Sequence, residues 1–462
     1  MPSDDLPASR LTPLLQKPCA DDLPASRLTP LLQKPCADEL PASRLAPLPQ
    51  VPCARVVPVH SHGMHTLEDL ENGALNGAQT VRLVNLGLTE FPQALFALAD
   101  TLEVLDLSGN QLNSLPDDLL RLHKLRILFC SNNPFTQLPA ALGDCGQLEM
   151  IGFKACAIAN VSERSLPARL RWLILTDNQL RELPAALGQR PRLQKLMLSC
   201  NQLTALPDLS DCKTLELLRV ASNHLEKVPT TLLALPNVAW PALAGNPLTA
   251  AAEHAALANA HRHAIHYDEL DIGELLGEGA SGHIHRATLK HSGEAIAVKV
   301  FKAAFTSDGT PQSELAAGLA ASGHPNLLAP LAVVEGHPEG RLAVAMPLLP
   351  PIYVNLAGPP SLASCTRDVY AADTRFTPAI AERLLGCIHS ALTHLHAQGV
   401  LHGDLYAHNI LWNPATGEAV LSDFGAALLS GTLPQADRTR LQTIEWRAFA
   451  HLEDEIRART EN

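Results

Sequence analysis

From Val81 onward the chain repeats itself about every 22 to 24 residues, and that period constrains the fold more than any single residue does. The template reads Leu105-x-Leu107-x-x-Asn110-x-Leu112-x-x-Leu115-Pro116, and it recurs around Asn133, Asn178, Asn201, Asn223 and Asn246. Leu86 and Cys156 stand at the asparagine's place in two further copies, which makes eight. One such unit cannot bury its own leucines, so stacking is obligatory and a curved solenoid with one continuous core is predicted. The recurrent asparagine turns its amide inward to satisfy buried backbone groups, each bond stabilising by about 1 kcal/mol. Cys156 is therefore a ladder residue before it is a reactive thiol.

These units resemble leucine-rich repeats, and the resemblance implies an α/β solenoid lined on its concave face by short parallel strands. The residues between the leucines, namely Glu103, Asp106, Arg126, Phe129, Arg171, Ile174, Lys195, Met197, Glu216 and Arg219, are the candidate contact positions. Their mixed charge and few apolar groups favour a protein or peptide partner over a lipid or nucleic acid. The pattern fades where Pro241 takes the place of a core leucine, as expected of a terminal repeat.

With 462 residues, two or three domains are expected. A formal charge of −12 with 4% aromatic residues argues against a nucleic-acid partner. Ten cysteines show no paired spacing and fit free thiols in a reducing cytoplasm. Neither an export signal nor an apolar run of membrane-spanning length is found, so no membrane role is expected. Residues 1–63 hold a 17-residue unit three times, with three or four prolines in each. Such density forbids a continuous helix or ladder and predicts a disordered tail. Met64 is an alternative start. The expected division is 1–63 tail, 64–248 repeats, 249–266 a solvated linker helix carrying His254, His261 and His263, and 267–462 a second folded domain.

In that last domain Gly277-Glu278-Gly279-Ala280-Ser281-Gly282 is followed by Lys299 on a strand-like run and by Glu314 on a helix-like one. His402-Gly403-Asp404 with Asn409, and then Asp423-Phe424-Gly425, complete the series. Glycines let backbone amides approach phosphate oxygens, and carboxylate and amide oxygens suit a hard cation. Five elements in this order resemble the protein kinases, whose fold is α+β and bilobal. The resemblance implies ATP and Mg2+ as cofactors. Gly277, Gly279, Ser281, Gly282 and Lys299 then bind phosphates, Met346 and Leu348 form the adenine hinge, and Glu314 pairs with Lys299. Asp404 is the base, Asn409 and Asp423 hold the metal, and His402 and Phe424 pack beneath the site.

Three departures matter. Gly403 replaces the usual arginine, Tyr406 replaces a lysine two residues after the base, and only 37 residues follow Gly425. The arrangement is nearest to bacterial leucine-rich-repeat protein kinases, with a shortened C-lobe that predicts a loss of several kcal/mol and impaired activity. The expected reaction is phosphoryl transfer to a protein hydroxyl, serine or threonine ahead of tyrosine. The alternatives are a catalytically weak scaffold and a small-molecule phosphotransferase of the aminoglycoside or choline type.

Overall fold

The structure is a computed structural model that describes residues 63–260, 264–279, 281–302 and 308–461. The tail up to residue 62, His261, His263 and Ala280 lie outside the described residues.

A one-turn helix α1 (Leu67–Glu71), closed by a capping box between Thr66 and Asp69, precedes the repeats. Eight three-residue strands follow in sequence order as one parallel sheet. They are β1 (Thr80–Arg82), β2 (Val104–Asp106), β3 (Ile127–Phe129), β4 (Met150–Gly152), β5 (Trp172–Ile174), β6 (Lys195–Met197), β7 (Leu217–Arg219) and β8 (Trp240–Ala242). Register places Val81, Leu105, Leu128, Ile151, Leu173, Leu196, Leu218 and Pro241 side by side. Pro241 is tolerated because β8 is the edge strand. Every ladder asparagine behaves as its sequence position predicts. The Asn110 Oδ1, for one, accepts from Leu86 N at 2.9 Å while its Nδ2 donates to Leu83 O at 2.7 Å. Cys156 takes the same place, its thiol donating to Cys130 O at 3.6 Å.

A short helix α2 (Thr230–Ala234) and the longer α3 (Pro247–Ala260) lead out of the repeats. The second half opens with a six-stranded sheet in the order β10-β11-β12-β14-β13-β9. These strands are β9 (Ile265–His266), β10 (Leu270–Glu278), β11 (Gly282–Leu289), β12 (Ala295–Phe301), β13 (Ala332–Glu335) and β14 (Ala343–Pro347), with α4 (Pro311–Ala320) against them. Below it lie β15 (Val354–Asn355), α5 (Pro378–Ala397), β16 (Val400–Leu401), β17 (Ile410–Trp412), β18 (Ala419–Leu421), β19 (Leu428–Leu429) and α6 (Gln435–Arg457). This lower lobe is mainly helical, with β15-β17-β18 and β16-β19 as small antiparallel ribbons.

Two expectations are corrected here. α3 is not a solvated linker, because its Leu257 packs with Phe301, Leu315 and Val344. Its Glu253 accepts from Gly245 N and from the hydroxyls of Thr249 and Ser313, at 2.8, 2.6 and 2.8 Å. A carboxylate with three donors ties the last repeat to α4.

Nor does the shortened lower lobe lack cover. Leu401, Leu428, Leu433, Leu441 and Ile444 are buried in the core of the repeats, while Leu217, Ala239 and Trp240 of the repeats are buried with α5 and α6. Arg447 of α6 donates to Val238 O. The two halves thus share hydrophobic cores, and the stability loss expected for a short lobe is offset by apolar surface buried against the solenoid.

One carboxylate in this core makes the fold sensitive to pH. Glu455 of α6 accepts from the Tyr370 hydroxyl at 3.0 Å, and burial, reinforced by Asp368, pushes its carboxyl up to about 7. The native state therefore keeps a proton that the unfolded chain gives up near its ordinary value of 4.5, so stability falls as pH rises from 4.5 to 7. Glu455→Gln, which keeps an acceptor for Tyr370, is expected to stabilise by on the order of 1–2 kcal/mol at pH 8 and by little at pH 5. Thermal unfolding at both pH values checks this; an equal gain at each refutes it.

Candidate active site

The loop from His402 to Tyr406 leaves β16, turns through Ala407–Asn409 and enters β17, so two short strands hold its ends. His402 is wholly buried. Its Nε2 donates to Ser422 O at 3.0 Å, its Nδ1 accepts from Asp404 N at 3.3 Å, and its ring lies 5.4 Å from that of Phe424. Both ring nitrogens are engaged in shaping the loop, which leaves neither free to react.

Asn409 Nδ2 donates to Asp404 O at 3.0 Å and to Asp404 Oδ2 at 2.9 Å. This bond leaves the amide oxygen of Asn409 for other use. Ser422 donates through its N and its Oγ to Asn409 O at 2.9 and 2.8 Å, placing the next residue, Asp423, beside it. Asp423 has a φ of 61° and accepts from Gly425 N at 3.0 Å. That left-handed backbone is uncommon for a non-glycine residue and is favoured by a side chain that bonds locally.

On the other side Lys299 sits on β12 and forms a buried ion pair with Glu314 in the first turn of α4. Thr310 caps that helix, its Oγ1 accepting from Ser313 N at 3.1 Å, and Pro311 occupies the first turn. Burial pushes the Glu314 carboxyl up to about 7; Lys299 opposes that shift, and the carboxylates of Asp423 and Asp308 add to it. An ideal Cβ on Gly425 lies 3.1 Å from Asp423 Oδ1 and 3.9 Å from Glu314 Oε2. One on Gly282 lies 3.4 Å from Lys299 Cγ and only 2.5 Å from Val300 O, so packing alone excludes a side chain there.

Two direct contacts, the Lys299–Glu314 ion pair and the Asn409–Asp404 hydrogen bond, are thus brought near each other, with Ser422 tying Asp423 to Asn409 and Gly425 lying beside both Asp423 and Glu314. Gly277 and Gly279 are different, since a Cβ on either meets nothing within 4 Å and their backbone faces open space. Ser281 lies in the same β10–β11 hairpin, which Gly279 N closes by donating to Gly282 O at 2.9 Å. Met346 is on β14 in register with Ala297, and Leu348 follows the end of that strand.

Several residues at this site carry no catalytic motif, and the sequence marked Arg219 only as a concave contact position. Arg219 of β7 reaches across from the repeats. It forms an ion pair and hydrogen bond with Asp404 Oδ1, donates through Nη1 to Gly403 O at 2.9 Å, and has its Nε 3.0 Å from Asp308 Oδ1. Trp240 of β8 donates to Leu405 O at 2.8 Å and stacks on Tyr406, centroids 4.3 Å apart at 10°. Glu445 of α6 accepts from Gly403 N at 2.8 Å and pairs with His396 at 2.6 Å. His408 pairs through Nδ1 with buried Asp368 at 2.7 Å.

Burial pushes the Asp404 carboxyl up, but Arg219, His408 and His402 outweigh it and hold the group below its ordinary value. Its side chain remains 15% exposed.

The concave positions named from the sequence divide accordingly. Arg171, Lys195, Glu216 and Arg219 contact the second half of the chain: Arg171 bonds Ala363 O at 3.2 Å, Lys195 bonds Cys365 O at 3.3 Å, and Glu216 pairs with Arg367 at 2.9 Å. Met197 packs against the core shared with α5 and α6. The chain is its own partner along this end of the sheet, a correction to the expectation of a wholly free concave face. Glu103, Asp106 and Arg126 lie toward the other end, on β2 and beside β2 and β3.

Residues 270–455 match the family model described as protein kinase domain, residues 168–225 match leucine rich repeat, and residues 100–142 match leucine rich repeats (2 copies). CBL-interacting protein kinase 22 of Oryza sativa is 28% identical over 180 residues, covering 37% of this chain and 39% of that protein. Serine/threonine-protein kinase PknJ of Mycobacterium tuberculosis is 31% identical over 169 residues, 35% of this chain and 26% of the relative. Kinase suppressor of Ras 2 of Homo sapiens is 26% identical over 195 residues, 42% and 18% respectively. The chain thus spans well under half the length of these relatives, which come from plant, bacterial and human sources and do not single out a bacterial group. Among the described residues no helix is long and apolar enough to cross a membrane. The asparagine ladder and the matched family models together support leucine-rich repeats followed, over residues 270–455, by a protein kinase domain.

Proposed function

We propose that this chain transfers the γ-phosphoryl group of ATP to a hydroxyl of a protein acceptor, serine or threonine ahead of tyrosine. The observation that carries the reading is the gathering of the Lys299–Glu314 ion pair, the Asn409–Asp404 hydrogen bond and Asp423, which Ser422 ties to Asn409 and Gly425 sets near Glu314. Kinase domains use ATP with a divalent metal, and here the free oxygens of Asp423 and Asn409 are the hard donors that suit Mg2+. Among the described residues no cluster of three or more acidic, histidine or cysteine side chains could hold a metal alone, which fits an ion shared with phosphate oxygens. Magnesium supplies neutralisation of the charge on the β- and γ-phosphates.

Lys299, oriented by Glu314, binds the α- and β-phosphates. Gly277, Gly279, Ser281 and Gly282 offer backbone amides to the same chain of oxygens, and Met346 to Leu348 border the purine. The acceptor hydroxyl oxygen bonds to Pγ as the bond from Pγ to the β,γ-bridging oxygen breaks; its proton passes to Asp404, and ADP leaves with the bonding electrons. The cover that the solenoid gives to α6 supports full rather than impaired activity. Free thiols at the described cysteines are in keeping with a cytoplasmic setting. The unoccupied end of the concave sheet, around Glu103, Asp106, Arg126 and Phe129, is where a protein or peptide binds.

Labelling with Mg-ATP tests the reaction. Asp404→Asn and Lys299→Met are expected to reduce transfer by about a hundredfold or more, with folding intact. Equal label in wild type and both variants removes the enzyme reading and leaves the scaffold. Transfer to aminoglycosides or choline but to no protein replaces it with the small-molecule one.

A further inference from the structure

We infer that Arg219, a residue of the repeat domain, is a positioning residue of the phosphotransfer centre, holding Asp404 to the acceptor side and locking the start of α4 to the catalytic loop. The inference rests on the kinase reading above and extends it to a residue outside the matched kinase segment.

Arg219 is 3% exposed, far below what an arginine on an open concave sheet shows. Its guanidinium faces two separate parts of the second half at once, the loop at Gly403 and Asp404 and the approach to α4 at Asp308. Nη2 bonds Asp404 Oδ1, Nη1 bonds the carbonyl of Gly403, and Nε faces Asp308. Asp308 lies two residues before Thr310, the cap of the helix that carries Glu314. A Cβ built on the adjacent Gly309 would lie 3.4 Å from Gly425 O and 3.6 Å from Ala221 Cβ. A rigid planar fork is the side chain able to hydrogen-bond Gly403 O and Asp404 in fixed directions while setting its charge against Asp308.

With Oδ1 held by Arg219 and Oδ2 by Asn409, the plane of the Asp404 carboxylate is fixed from two sides. A base whose lone pair is aimed beforehand contributes more than one that rotates. Tyr406, two residues on, cannot do this, because its ring is stacked on Trp240. The arginine charge beside Asp404 therefore comes from the repeats.

The contact is built in rather than switched. Leu217 of β7 and its register partner Trp240 of β8, one pair removed from Arg219 on the same face of the sheet, are buried in the same core as α5 and α6. Releasing Arg219 exposes that core, so a detachable inhibitory clamp is not what the packing describes.

The test uses the full chain with Arg219→Met, which keeps the aliphatic length without charge, and Arg219→Lys, which keeps charge without the fork. Phosphoryl transfer is measured as kcat and as KM for ATP, normalised to the fraction of molecules that bind a fluorescent ATP analogue. Arg219→Met is expected to lower kcat about tenfold or more with KM for ATP changed less than about twofold, and Arg219→Lys to recover part of kcat. A merely structural role lowers the binding-competent fraction and leaves normalised kcat unchanged, which overturns the inference. So does a rise in kcat, which makes the contact an inhibitory clamp. If Arg219→Met does not fold, Arg219→Lys decides: a lowered normalised kcat at unchanged KM upholds the inference, and an unaltered kcat overturns it. Loss of label in Asp404→Asn but not in either Arg219 variant defeats this inference alone, whereas label insensitive to Asp404→Asn defeats the kinase reading beneath it.

Discussion

Residues 264–462 expressed without the repeats are expected to keep helical circular dichroism but to lose the cooperative thermal transition and the near-ultraviolet signal of fixed side chains. Five side chains of this half, Leu401, Leu428, Leu433, Leu441 and Ile444, are buried in the core of the solenoid. Fully burying a leucine or isoleucine stabilises by about 1.5–3 kcal/mol, and a whole domain holds a net of only about 5–15 kcal/mol. Exposing all five removes a stabilisation comparable to that total. The catalytic loop loses its supports at the same time, since Arg219 and Trp240 bond three successive residues, Gly403 to Leu405. What remains has helices and apolar surface without fixed packing, a state that binds hydrophobic dyes. A sharp transition with native near-ultraviolet signal in this fragment sinks the argument.

Replacing Gly403 is expected to be nearly as damaging. Its φ is 72°, and an added Cβ lies 2.6 Å from Ala426 O and 2.7 Å from Pro241 O. Both obstacles are backbone carbonyls, one on each side of the boundary between the halves, and neither can swing aside. Gly403→Ala adds about 1–2 kcal/mol of left-handed backbone strain to this clash. A total of several kcal/mol, or a fall in Tm on the order of 10 °C, follows. Gly293→Ala is the control: its φ is also 72°, but nothing lies within 4 Å of the new Cβ, so only the backbone cost remains. Gly403→Arg, which restores the residue common to the family, should fare worse than alanine. Equal shifts at positions 293 and 403 are incompatible with the docked arrangement.

Gly403 also illustrates how far the sequence can be read. Its departure from the family pattern is visible in the one-letter string and suggests the loss of a phosphate-docking arginine. The structure supplies the cause: the solenoid's last strand occupies the space. The same division holds for Tyr406, whose ring leaves the catalytic loop to stack on Trp240, and for Asp404, whose bond to Asn409 lies within one loop while its bond to Arg219 comes from 185 residues away.

Periodicity and local spacing determined, without coordinates, the stacked repeats, the inward asparagines, the glycine hairpin and the order of the kinase motifs. Each depends on neighbours a few residues apart, or on a unit meeting a copy of itself, so the information is local and repeated. Tertiary structure alone decided that Arg219, Trp240 and Glu216 face the catalytic half, that α3 braces α4, and that α6 is covered by the solenoid. Those contacts join surfaces with no period in common. Hydrophobic burial is non-directional: it leaves a short lobe in need of cover without marking which surface supplies it.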